Sequence, residues 1–420
     1  MQNPVNPKIN ICIISNISDP FSLCFLDPAC YFRERLTELG FDVRERISKN
    51  RLYLDCINIV FGAHMAIDLK IFSDYLCVFV NLEQLGKGGK IVREDYLELL
   101  RKGYLVDYDL DNIKLIKSSA DASCTIVSFG YAPYLEVDHL HIPLEDRPID
   151  ILFLGSINSA RRKILEMLAS NGFKVTLVNG VFGPDKDEII RRSKVVLNMS
   201  FFEKSTFEQV RVFQCLSLGT PVVSISSTKT RNIPEQYRES IFFVKPTGLI
   251  SFFKDMFNTD IFFAEARKKI SLFKQSRSGD GFDQLKKMLA STSKHELVPH
   301  SRSLHRSKAF ISNGPDYMPG WINISNSSVD IPDIEVDFTS SHLSLPLFYN
   351  SPTIGNVSLR EGTLEMIKAE QIPETVSEIQ VFMANCMSLL KLDGILEIKV
   401  AHAESPSGWQ NPNAQRLFGT

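Results

Sequence analysis

Asp150-Ile-Leu-Phe-Leu-Gly155-Ser-Ile-Asn-Ser-Ala-Arg161-Arg162-Lys163 is the stretch whose reading decides the fold. An apolar run closes on a glycine, and a helical pattern opens at Ala160 and stops at Asn171-Gly172. A buried strand followed at once by a helix is the repeating unit of a parallel α/β sheet. Downstream the alternation continues. Phe173 to Val178, Lys194 to Met199 and Pro221 to Ile225 read as strands. Asp185 to Arg192, Phe207 to Leu218, Leu249 to Phe257 and Phe263 to Lys274 read as helices.

Upstream the pattern is the same. Ile9 to Ser15, Cys56 to Phe61, Tyr75 to Val80 and Ala122 to Phe129 read as strands, with helices over Tyr31 to Leu39 and Asp95 to Lys102. The segment His139 to Pro148 holds two prolines and reads as a linker. The fold class is therefore α/β, with two Rossmann-like domains facing a cleft, residues 1–140 and 141–290. Ser291 to Lys308 carries four Lys/Arg against one Glu and almost no apolar periodicity, so 291–308 reads as an exposed linker. Residues 309–420 form a third α/β region that opens on a strand at Lys308 to Ser312.

The 420 residues carry 47 Lys+Arg and 49 Asp+Glu, a net charge of −2, which argues against a nucleic-acid partner. No apolar run reaches the roughly 18–20 residues of a membrane span, and the N-terminus lacks a signal h-region. The eight cysteines form no CxxC pair and mostly sit in apolar runs, so reduced thiols and a cytoplasmic location are expected.

In open α/β sheets ligands bind beyond the carboxyl ends of the strands. In the first domain that rule selects Asn16 and Asp19, Gly62 and His64, Asn81, Glu83 and Gln84, then Gly130 and Tyr131. In the second it selects Gly155, Ser156 and Asn158, Asn179 and Gly180, Asn198 and Ser200, then Ser224. The Gly155 turn has two readings. A helix N-terminus with Arg161 and Arg162 suits a diphosphate; an ordinary βα turn with a solvated basic face is the plainer alternative. Glu208 and Arg211, three apart, share one helix face. A carboxylate at the start of a cleft-lining helix can accept both hydroxyls of a ribose, while a surface Glu–Arg pair would contribute little. For a general base the candidates are His64, Glu83 and Asp19. Asp107-Tyr-Asp109 imitates a metal-binding DxD motif but reads as a loop or helix start, and no metal site is expected.

Residues 150–226 resemble the donor-binding domain of GT-B glycosyltransferases, in the group-1 and CgeB-like branch. The matching features are the Leu154-Gly-Ser opening with Arg161-Arg162, Ser193-Lys194, Leu197-Asn198, Phe207-Glu208, Arg211 and Gly219-Thr-Pro221-Val-Val. Gln214 stands where many such enzymes carry Glu, and Ser200 where related sequences often show His. The resemblance implies an enzyme that moves a sugar from a nucleotide-sugar donor to a glycan or lipid-linked acceptor in surface polysaccharide assembly, without a metal. Gly155, Ser156, Asn158, Arg161, Arg162, Asn198, Glu208, Arg211 and Gln214 would face the donor.

The third region resembles a truncated, degenerate class I S-adenosylmethionine methyltransferase. The resemblance rests on Ile311-Ser-Asn-Gly-Pro, Val336-Asp-Phe, Leu345-Pro-Leu-Phe, Leu364-Glu365-Met366 and Leu389-Leu-Lys-Leu-Asp-Gly394. Ser312 replaces the family's first glycine, and Ser325 its ribose-binding acid. Binding of S-adenosylmethionine is therefore not expected, and the region should serve as a docking or homodimer surface. Peripheral membrane association is compatible with a lipid-linked acceptor. Two alternatives stay open: a glycan methyltransferase or bifunctional enzyme, and a non-catalytic scaffold of a polysaccharide-assembly complex.

Overall fold

The computed structural model describes residues 7–15, 20–86, 88–117, 121–136, 142–202, 206–226, 230–276, 280–296, 303–312, 314, 316–327, 331–339, 341–370, 372, 376 and 378–400. It is an α/β protein built on three parallel sheets. The first sheet holds β1 (Lys8–Ile13), β2 (Asp42–Val43), β3 (Ser48–Lys49), β4 (Ile57–Phe61), β5 (Cys77–Asn81), β6 (Tyr104–Asp107) and β7 (Cys124–Ile126). Its order is β2-β1-β4-β5-β6-β7, with β3 also on β1. Helices α1 (Leu26–Glu38), α2 (Glu94–Lys102) and α3 (Leu110–Ile116) connect its strands. Strands β4 and β5 are buried at every position, as expected for a sheet covered on both faces.

The second sheet has β8 (Ile149–Leu154), β9 (Val175–Val178), β10 (Ser193–Asn198), β11 (Val222–Ile225) and β12 (Phe242–Val244), in the order β12-β11-β10-β8-β9. Its crossovers are α4 (Ser159–Ser170), α5 (Gly183–Arg191), α6 (Gln209–Ser217) and α7 (Glu235–Arg238). Helices α8 (Leu249–Asp255) and α9 (Asp260–Gln275) follow. The chain then returns to the first sheet through α10 (Phe282–Glu296), whose Phe282 ring packs on Tyr31 and Phe32 of α1. A single apolar core runs between the first two sheets, with Phe129 stacked on Phe213 of α6.

The third sheet contains β13 (Lys308–Ser312), β14 (Ile322–Ser325), β15 (Ile334–Glu335), β18 (Leu364–Glu370) and β19 (Leu390–Lys399), ordered β15-β14-β13-β18-β19. An antiparallel hairpin, β16 (Leu347–Ser351) and β17 (Gly355–Leu359), intervenes, and α11 (Ile379–Leu389) joins β18 to β19.

One expectation is corrected. The segment 291–308 is no exposed tether throughout: α10 runs to Glu296, Leu304 is buried, and Arg306 pairs with Asp74 at 2.8 Å. The spacing of Phe282, Leu285, Met288 and Leu289 drives that helix, whereas Leu304 is one apolar residue with no period to announce it. Asp107-Tyr-Asp109 is a helix start, as expected, and it follows directly on a strand. Asp107 ends β6, and Asp109 caps α3 by accepting the Asp111 N–H. A four-residue strand is too short to declare itself by alternation.

Candidate functional site

The carboxyl edges of the first two sheets meet. Gln84 Oε1 accepts the Thr206 N–H at 3.3 Å, and Asp109 accepts the Thr206 hydroxyl and the Asn232 amide. Phe129 N–H donates to Gln209 Oε1, and Ala132 N–H to Ser217 Oγ. Both α6 and the loop before it are thus fixed against the first domain, two residues from Glu208.

On the second sheet, Gly155 has φ +125°, a conformation that favours glycine. A Cβ there would stand 3.4 Å from Arg211 Nη2 and 3.7 Å from Arg161 Nη1, so the turn lies directly against two guanidinium groups. Glu208 ties them together: Oε1 accepts from Arg161 at 3.3 Å and Oε2 from Arg211 at 2.6 Å. Arg211 also donates to Asn198 Oδ1 at 2.9 Å, and Asn198 in turn bonds Ser224.

Arg161 does not reach out as a diphosphate ligand. It is 2 % exposed and spends its donors on the carbonyls of Ser156, Met199 and Ser200. Burial, reinforced by Arg211 and opposed by Glu208, pulls its guanidinium down to about 10. It is a scaffold for the loop after β10. Arg162 is exposed, and Asn158 caps α4 by accepting the Arg161 N–H while its amide bonds the Phe201 carbonyl. Ser156 is exposed. Gln214 is also held away: buried, it accepts from Lys186 Nζ at 2.7 Å, and Lys186 pairs with Asp27 of α1. A ribose would have to displace that buried lysine to reach Gln214.

On the first sheet, His64 and Glu83 come together at 3.4 Å, with Lys90 donating to Glu83 at 2.7 Å and lying 3.3 Å from His64 Nε2. Burial first, then Lys90, lowers His64 to about 4, against the pull of Glu83. The imidazole is therefore neutral near pH 7. Asp19 lies outside the described residues. The sequence reading missed Lys90. Its signal is Gly89, where a Cβ would meet the Gln84 carbonyl oxygen at 2.3 Å. Only glycine fits that turn, which folds Lys90 N–H back onto Gln84 at 2.8 Å.

Tyr108 was missed as well, although it is the centre of the Asp-Tyr-Asp motif. Its carbonyl accepts from the Gln209 side chain, and its buried phenol is pushed well above the usual range by burial and then by Asp107, Glu208, Asp109 and Glu83. Asp107 is spent on Asn81, Asn112 and the Asp109 N–H, and burial raises it to about 8. With Asp109 committed to α3, Thr206 and Asn232, neither aspartate is arranged as a metal ligand.

No family model matches the chain. It is 26% identical over 216 residues to the uncharacterized protein L138 of Acanthamoeba polyphaga mimivirus, covering 48% of this chain and 22% of that protein. It is 30% identical over 156 residues to the uncharacterized protein L137 of the same virus, covering 35% and 19%. The chain thus spans about a fifth of the length of these curated relatives. Among solved structures it is similar to Anabaena HepE in complex with UDP-glucose, with a TM-score of 0.41, 11% identity, and 69% of this chain and 100% of that chain covered. It is also similar to TarM, with a TM-score of 0.37, 13% identity, and coverage of 57% and 55%.

Proposed function

We propose that the chain is a GT-B-type glycosyltransferase, moving a sugar from a nucleotide-sugar donor to a glycan or lipid-linked acceptor in surface polysaccharide assembly, without a metal. One observation carries the reading. Glu208 is clamped between Arg161 and Arg211 at the Gly155 turn, and the residues on either side of it, Thr206 and Gln209, are bonded to Gln84, Asp109 and Phe129 of the first domain, which also holds the His64–Glu83 pair. Arg211 supplies the cation for the diphosphate. Glu208 is 24% exposed, and each carboxylate oxygen keeps a second lone pair for a ribose hydroxyl. Glu83 or neutral His64 takes the acceptor proton. A charge-assisted hydrogen bond is worth about 1.5–3 kcal/mol. Glu208→Gln should therefore weaken UDP roughly 10–150-fold by calorimetry, with the far-ultraviolet spectrum unchanged. Unaltered UDP affinity in a folded variant removes Glu208 from the donor site.

A non-catalytic scaffold is the second reading, favoured by the burial of Gln214 under Lys186 and Asp27. A thermal shift on adding UDP to the wild-type chain separates the two. Binding to the native state stabilises by about 2.7 kcal/mol at a hundredfold excess over Kd, and a scaffold with no donor site shows none.

A further inference from the structure

Between the first and third sheets lies a cleft of about 640 Å³. One wall is the carboxyl edge of the first sheet: Ser15 beyond β1, Asn50 beyond β3, and Met65 and Asp68 beyond β4. Met65 is the neighbour of His64. The opposite wall is the segment His305–Lys308 together with Trp321. Behind it the register pairs Lys308 with Met366 and Lys368 with Glu397, so these four side chains stand on one face of the third sheet. Phe382 and Cys386 of α11 share the apolar core with Ile311, Ile367 and Ala369, which point to the other face. Ser312 and Ser325, at the third sheet's own carboxyl edge, do not line the cleft.

We propose that this cleft binds an anionic saccharide, its ring against Trp321 and its phosphate or carboxylate on the Arg306–Lys308 segment. Arg306 pairs with Asp74 through Nη2, yet its buried Nε–H has no acceptor among the described residues. A buried donor without a partner is rare in folded proteins, and an anion beside it supplies one. The Lys308 ammonium lies over the Trp321 ring, 5.5 Å from its centre, so a cation and the indole meet at one point of the cleft wall. His305 adds a third basic group at the exposed rim. Asp68 and Glu397 line the same cleft. Carboxylates accept hydroxyl protons and repel a multiply charged ligand, so the fit is to one anionic group carried by a polyhydroxylated ring. The assignment does not need the donor reading.

The test uses the full chain carrying Trp409→Phe, which leaves Trp321 as the single tryptophan of the two. Emission is followed on titration with glucose 1-phosphate, glucuronate, glucose, AMP and inorganic phosphate. A saturable change is expected with glucose 1-phosphate or glucuronate, whichever anion the cleft takes, and binding about tenfold weaker or worse for glucose and for phosphate alone. Lys308→Ala and Lys308→Gln, at an exposed position, should each weaken the charged sugar by about tenfold and leave glucose unchanged. No change with either charged sugar, AMP binding as tightly as the sugars, or full affinity in both Lys308 variants overturns the proposal. UDP calorimetry on the same proteins keeps the two questions apart. A wild-type chain that ignores UDP ends the donor reading while the Trp321 titration still stands.

Discussion

The second and third sheets are both five-stranded and parallel, yet they differ in how many helices begin at their carboxyl edges. In the second, a helix fills each crossover, and α4 and α6 both begin at the carboxyl edge, beside Gly155 and Glu208. In the third, among the described residues, only the β18–β19 crossover carries an α-helix. A helix N-terminus brings unpaired N–H groups and the positive end of a dipole to the place where a phosphate would sit. Where a loop replaces the helix, the sheet survives and the site is lost. Strand pairing and ligand capacity are therefore separable properties of the same architecture.

The largest expected effect tests whether the second sheet's edge depends on its buried arginine. Arg161→Ala would leave the carbonyls of Ser156, Met199 and Ser200 without their guanidinium donor and Glu208 with Arg211 alone. Breaking a buried ion pair costs about 3–5 kcal/mol, a drop in Tm of roughly 6–20 °C. Lysine should not rescue it, because one ammonium cannot reach three carbonyls and a carboxylate in the guanidinium's fork. Arg162→Ala, exposed one residue away, should stay within about 0.5 kcal/mol. If calorimetric melting finds the two variants equally stable, Arg161 is no scaffold and the contrast between the edges fails.

That pair of arginines also shows where the sequence was legible. The β8 strand and α4 helix follow from apolar runs, Gly155 and Asn171-Gly172, all local signals. Which of two adjacent arginines turns inward is decided by Met199 and Ser200, 38 and 39 residues away, and no local pattern encodes it. Lys186, Asp27 and Gln214 are the same case: Asp27 and Lys186 are 159 residues apart, so the lysine that covers Gln214 is invisible until the sheets are assembled. Glu208 and Arg211 were readable because helix spacing puts them on one face. His64 and Glu83 were readable because the carboxyl-edge rule selects both. Their pairing depends on the Gly89 turn, whose tightness only the fold reveals.

A smaller effect compares the two edges by pH. Burial and Lys90 hold His64 at about 4, against an ordinary 6.5. Below 6.5 the unfolded imidazole takes a proton that the folded one refuses until about 4. Its contribution to stability is therefore whole above 6.5 and declines as pH falls from 6.5 to 4, on the order of 2–3 kcal/mol in all. Melts of the wild type and His64→Gln should converge over that window, whereas Arg162→Ala, exposed on the second sheet's edge, should run parallel to the wild type. Parallel curves for wild type and His64→Gln would mean that the imidazole keeps its ordinary affinity for protons.

The smallest expected effect is a near-zero one, and it tests the third sheet directly. S-Adenosylmethionine needs a close backbone approach after the first strand and an acceptor for its ribose after the second. Here Ser312 closes β13 with its hydroxyl turned to the carbonyls of Gly314 and Asp316, and Ser325 closes β14 with its hydroxyl accepting the Ser327 N–H. Neither hydroxyl replaces a carboxylate, and no described residue between β13 and β14 begins a helix. Losing one ribose acceptor costs about 1–3 kcal/mol, and a missing helix N-terminus removes roughly another 0.3–1. At their upper ends the two together, about 4 kcal/mol, turn a micromolar site into a millimolar one. The cofactor at tenfold below millimolar should then stabilise the chain by only about 0.1 kcal/mol, too little to move the Tm. Ser325→Asp returns the acid but not the helix, so it should recover at most about 150-fold and still fall short of micromolar. Tight binding to the wild-type chain would show that a parallel sheet can hold this ligand from loops alone, and the separation of pairing from ligand capacity would not hold for this molecule.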